Sequence, residues 1–135
     1  MTSSTRTRTD SSCTTREFTV RAVPAYAPDK SNPSERQYCF TYRITIENHG
    51  STEARLLSRR WIITDALGRV HTVEGEGVIG MQPSFQPGVS FEYSSFCPLA
   101  TRWGTMEGAF IMTTPEGEQF EIAVGRFYLV APEDA

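Results

Sequence analysis

Cysteine, histidine and lysine are scarce in this 135-residue chain. The three cysteines, Cys13, Cys39 and Cys97, stand far apart with no C-x-x-C pair. That excludes a disulfide framework and a zinc knuckle. The two histidines, His49 and His71, form no H-x-H or H-E-x-x-H pattern, so no metal set is expected from them. Lys30 is the one lysine among 13 basic residues, and 16 acidic residues bring the net charge to −3. Such a balance gives no general pull toward nucleic acid or an anionic membrane. No apolar run approaches the ~18 residues that span a bilayer. The N-terminal "MTSSTRTRTDSSCTTRE" lacks the apolar centre of a secretory signal. A reduced, cytoplasmic protein is expected. No stretch carries a convincing helical period either.

What the chain does contain is β pattern. In "YCFTYRITIEN", Phe40, Tyr42, Ile44 and Ile46 fall on one face, and Cys39, Thr41, Arg43, Thr45 and Glu47 on the other. That alternation predicts a strand half buried against a core. "EARLLSRRWIITD" reads as a second long strand that is covered on both faces or bulged, since Trp61 and Ile63 share a parity that Ile62 does not. "DALGR" and Pro87-Gly88 are turns, and Phe91 and Tyr93 point inward from a further strand. "MEGAFIMTT" and "QFEIAVGRFYLV" form a closing hairpin, while "FTVRAVPAYA" opens the domain and is broken by Pro24. About seven short antiparallel strands on a chain of this size predict an all-β sandwich. Residues 1–16, rich in Ser, Thr and Arg, are expected to be a disordered tail, residues 17–130 the domain, and residues 131–135 a loose end.

"VEGEGVIG" holds Gly75, Gly77 and Gly80 in the G-x-G-x-x-G spacing of a dinucleotide fingerprint. That fingerprint works only where it opens a helix, whose N-terminus meets the pyrophosphate. Here Pro83 and Pro87 follow at once, and each breaks a helix interior. The glycines therefore serve a positive φ, a bulge or a close backbone approach. The alternative is an anion nest of successive N–H groups that takes a phosphate or nucleotide, with or without a divalent cation.

No catalytic constellation is apparent. Cys39 and Cys97 lack a signature base, and "YSSF" lacks an elbow motif. Adjacent Arg59 and Arg60 point to opposite faces of their strand, so one shares the face of Trp61 near the core edge and the other is free. Trp103, in "PLATRWGTMEG", is read as a loop residue with no core role and thus an interaction point. Arg59, Arg60, Glu74 and Trp103 make the expected interaction surface.

"CFTYRITIENHG", "LLSRRWIITDALGRVHTVEGEGVIGMQP", "PGVSFEYSSFCPL", "GTMEGAFIM" and "FEIAVGRFYLV", in this order, resemble the ApaG domain over residues of about 17–130. The resemblance implies a fibronectin type III-like or immunoglobulin-like sandwich. It implies a stand-alone bacterial domain of a family, also called CorD, associated with cobalt and magnesium tolerance. Related domains in certain F-box proteins and in a polymerase delta-interacting protein look like protein-interaction modules. Two departures stand out. Arg60 replaces a frequent histidine, which weakens metal binding there, and "VGRFYLV" replaces the usual final strand. The chain is expected to be a non-enzymatic binding module without a cofactor. Its partner is expected to be an unidentified protein, with phosphate or nucleotide at Gly75–Gly80 as the alternative.

Overall fold

The computed structural model describes residues 9–134. Nine strands follow in chain order: β1 (Ser11–Thr15), β2 (Phe18–Tyr26), β3 (Tyr38–Asn48), β4 (Ala54–Asp65), β5 (Val70–Glu76), β6 (Ser84–Phe85), β7 (Ser90–Leu99), β8 (Trp103–Thr113) and β9 (Gln119–Val130). They form two antiparallel sheets, β1-β2-β3-β7 and β5-β4-β8-β9, with the short β6 also paired to β4. The sandwich expected from the strand pattern is the fold observed.

The core lies between the sheets. Phe40, Ile44 and Ile46 of β3 meet Leu56 of β4, Phe110 and Met112 of β8, and Ile122 and Phe127 of β9, all fully buried. Trp61 sits among the rings of Tyr42, Phe110 and Phe127, with centroids 5.4 to 5.9 Å away. Two bulges make this inner face possible. Pairing of β4 with β8 slips between Leu56 and Ser58, so one extra residue on β4 shifts its parity. Leu56 before the slip and Trp61 after it therefore both face inward. Pairing of β8 with β9 slips between Met106 and Gly108, and Val124 and Phe127 both turn inward across Gly125-Arg126.

The two flanks of the sandwich differ. On one, β1 closes the gap between the sheets. It pairs with β2, while Tyr128 N–H donates to Thr9 O, Ser11 Oγ to Gly125 O and Ala123 N–H to Thr15 Oγ1. This corrects the expectation of a tail over residues 1–16. Residues 1–8 lie outside the described residues, but Ser11–Thr15 form a strand, ordered by ladder and hydroxyl hydrogen bonds rather than by apolar burial. The expected loose end at 131–135 is corrected in part as well, because Ala131 is buried and its N–H donates to Arg102 O. On the opposite flank the sheets end at β5 and β7, and among the described residues no strand bridges them.

Cys97 points inward from β7, and burial pushes its thiol up to about 12, with Cys39 adding in the same direction. At mildly alkaline pH the thiolate is the reactive form. Iodoacetamide is therefore expected to modify the half-buried Cys13 and Cys39 in the folded protein and to reach Cys97 only after denaturant is added, as read by mass spectrometry.

Candidate functional site

The glycine-rich stretch runs along the edge of β4, between β5 and β6. Each glycine has its own local reason. A Cβ on Gly75 would lie 2.9 Å from both terminal nitrogens of Arg59, so the missing side chain leaves room for that guanidinium. Gly77 has φ +64°, and a Cβ there would collide with the Met81 carbonyl oxygen. This bend drops Val78 into the core, where it is fully buried. Val78 and Met81 then exchange both backbone hydrogen bonds around Ile79 and Gly80. Those two have φ +43° and +79°, the two positive values of a type I′ turn.

The N–H groups that an anion nest would use are engaged at two positions. Gly77 donates to Leu57 O and Val78 to Met81 O. Strand β5 ends at Glu76 and no helix follows. Ile79 is a β-branched residue in the left-handed region, where a side chain crowds its own backbone. Ile79→Asn is expected to stabilise the fold by about 1 kcal/mol, measured as a shift in the urea midpoint at constant slope.

Arg59 is the side chain that this architecture serves. The slip at Leu56/Ser58 turns it to the inner face of β4, on the same side as Trp61. Its Nη1 donates to Gly77 O at 2.8 Å and to Glu76 O at 3.1 Å. It thus lies flat across β5 at the open flank. Between β5 and β7 is a cleft of 540 Å³ that Arg59 lines together with Tyr42, Trp61, Asp65, His71 and Val73. This lies within the range of roughly 300–1,000 Å³ typical of ligand sites.

Polar groups on the cleft floor are unevenly satisfied. Asp65 Oδ1 accepts the N–H groups of Leu67 and Arg69, and its Oδ2 accepts Arg69 Nε at 2.7 Å. Burial opposes ionisation of Asp65, but these bonds and the Arg69 charge outweigh it and hold the carboxyl below its usual range. Trp61 Nε1 is buried with no hydrogen-bond partner among the described residues, and so is the hydroxyl of Tyr93, a β7 residue outside the cleft lining. Burial raises the pKa of both Tyr42 and Tyr93, and the charge of Arg59 opposes the rise in each.

The other expected surface residues do not converge on this place. Arg60 is not free: it faces outward and makes a bidentate pair with Glu121, both contacts at 3.0 Å. Glu74 stands opposite Arg60 in the β4–β5 register. Trp103 is not in a loop but begins β8, paired with Val130. It is half exposed, beside the exposed Val130 and near Tyr128. Only Arg59 joins the glycines. Sequence reasoning missed Tyr42, Asp65 and Arg69, because partners so distant in the chain carry no local spacing signal. Among the described residues, no group of three His, Cys, Asp or Glu side chains is placed to hold a metal ion, and no helix is long and apolar enough to cross a membrane.

The sequence pattern of the ApaG domain (DUF525) matches residues 28–114. A protein of Bdellovibrio bacteriovorus called Protein ApaG is 49% identical over 116 residues, which cover 86% of this chain and 91% of that relative. The chain belongs to the ApaG family. Protein ApaG of Caulobacter vibrioides is 44% identical to it, covering 87% of this chain and 84% of the relative. A crystal structure described as a putative ApaA protein from Bordetella pertussis superposes on this ApaG-family chain with a TM-score of 0.83 at 44% identity. It covers 90% of this chain and 98% of that one. The ApaG pattern contains β3 to β8 in full, and with them every residue that lines the cleft.

Proposed function

We propose that this ApaG-family chain is a non-catalytic binding module whose partner is a protein, docked at the flank between β5 and β7. One observation carries this reading: β5 is an edge strand that is exposed along its length except at half-buried Gly75, while the opposite flank is closed by β1. An edge strand presents unpaired N–H and C=O groups that an extended segment of a partner can pair with. Val73 is exposed on β5 and Phe96 on β7, so apolar surface lies on both sides of the cleft. The glycine loop supports β5 through Arg59 and Val78. The engaged N–H groups of Gly77 and Val78 do not favour phosphate or nucleotide as the ligand.

The same reading places the protein in the cytoplasm, where its three unpaired thiols suit a reducing compartment. It also makes the cobalt and magnesium tolerance associated with the family a consequence of the bound partner. A photo-crosslinking residue at Val73, introduced in cells of the native host, tests the docking flank. A discrete protein adduct is expected at Val73 and none at Val130. No adduct at Val73, or the same adduct at both positions, contradicts the proposal.

A further inference from the structure

We infer, resting on that docking flank, that the cleft anchors its partner by an acidic side chain of an extended peptide, received by Arg59. Asp65 and Arg69 neutralise each other at 2.7 Å. Arg59 has no carboxylate among the described residues; its bonded partners are the carbonyl oxygens of Glu76 and Gly77, both on Nη1. A guanidinium has five N–H donors, and Nε and Nη2 of Arg59 are unengaged among the described residues. With His71 neutral, the side chains that line the cleft hold one excess positive charge, and an edge of the guanidinium fork is ready for a carboxylate.

The neighbouring polar groups agree with an incoming acceptor. Trp61 is 3% exposed and lines the cleft, and its indole Nε1 has no acceptor among the described residues. Burial discourages ionisation of Tyr42, so its hydroxyl stays neutral beside an anion. The surrounding walls are apolar, from Ile63, Val73, Leu99 and Met106. They fit an acidic residue flanked by apolar ones. One uncompensated charge matches one carboxylate rather than a dianionic phosphate.

The arrangement is also held ready before binding. The extra residue in β4 turns Arg59 inward, Gly75 gives its guanidinium room, and two carbonyls fix one of its nitrogens. Less side-chain freedom is then lost when the acid arrives.

Two displayed libraries of short random peptides, one with a fixed central Glu and one with a fixed central Gln, are selected on the immobilised full chain. Binders are expected from the Glu library, and converting their Glu to Gln is expected to weaken binding roughly tenfold or more. Arg59→Gln should weaken the Glu peptide by a similar factor and leave its Gln counterpart unchanged, while Arg59→Lys restores part of the loss. An unaltered amide spectrum of each variant shows that the fold is intact. Equal yield from both libraries, with binding still at β5 and β7, overturns the acidic anchor and leaves the docking flank standing. Tighter binding by a phosphoserine replacement also overturns the single-charge match. No binders from either library, or binders that map elsewhere, overturn both proposals.

Discussion

Trp61→Ala is expected to lose about 3–5 kcal/mol of folding stability. The indole is 3% exposed and packs edge-on against Tyr42, Phe110 and Phe127, so it joins residues of β3, β8 and β9 to β4. Truncation leaves a cavity that three surrounding rings on separate strands cannot close. Such edge-to-face aromatic contacts add to the stabilisation from buried area. Urea unfolding followed by far-ultraviolet circular dichroism measures the loss. Trp61→Phe should fall much less, since Nε1 makes no hydrogen bond among the described residues and one ring remains.

Gly108→Ala is expected to destabilise the fold by about 3 kcal/mol or more. Gly108 of β8 pairs with Trp61 of β4, and a Cβ there would collide with the carbonyl oxygen of Arg60 and lie 3.2 Å from the Trp61 Cα. Both obstacles are backbone, so the two central strands would have to separate. Gly125 is the control. A Cβ there meets nothing closer than 3.5 Å, and the nearest atom is the Cβ of Ser11. Gly125→Ala is expected to change stability by less than about 1 kcal/mol. Parallel thermal melts of the two variants check the contrast; equal losses would contradict the account of the bulge.

Much of the fold was legible in the sequence where one face of a strand is apolar. Phe40, Tyr42, Ile44 and Ile46 alternate on β3 and are all buried. The parity conflict around Trp61 left two readings open, a strand covered on both faces or a bulged one, and the register shows a bulge upstream at Leu56/Ser58. Strand β1 was not legible. "SSCTT" has no apolar alternation, and the turn that follows uses Arg16 and Glu17 at positive φ instead of Asn or Gly. Its order comes from hydrogen bonds to β2 and β9, which leave no hydrophobic trace. Trp103 misled for a related reason. It begins a central strand but lies on the solvent face, so its strand membership left no burial signal.

The site was legible in pieces. Local spacing marked the glycines, and strand parity placed one arginine beside Trp61. Nothing in the spacing showed that Arg59 crosses to Gly75, because that contact depends on a one-residue bulge and on register between strands. The fingerprint spacing of Gly75, Gly77 and Gly80 arises from three unrelated needs: room for a guanidinium, a bend that buries Val78, and a type I′ turn. The spacing matches a dinucleotide fingerprint, but the helix that the fingerprint must open is missing after β5.

The most direct test of the docking flank is an amide chemical-shift map of the isotope-labelled protein with a peptide taken from the Glu library. The account predicts saturable shifts along Val70–Glu76 of β5 and the facing half of β7, with β1, β9 and Trp103 unmoved. Shifts centred on Trp103 and Val130, on the Ile79–Gly80 turn, or spread evenly over the surface would contradict it.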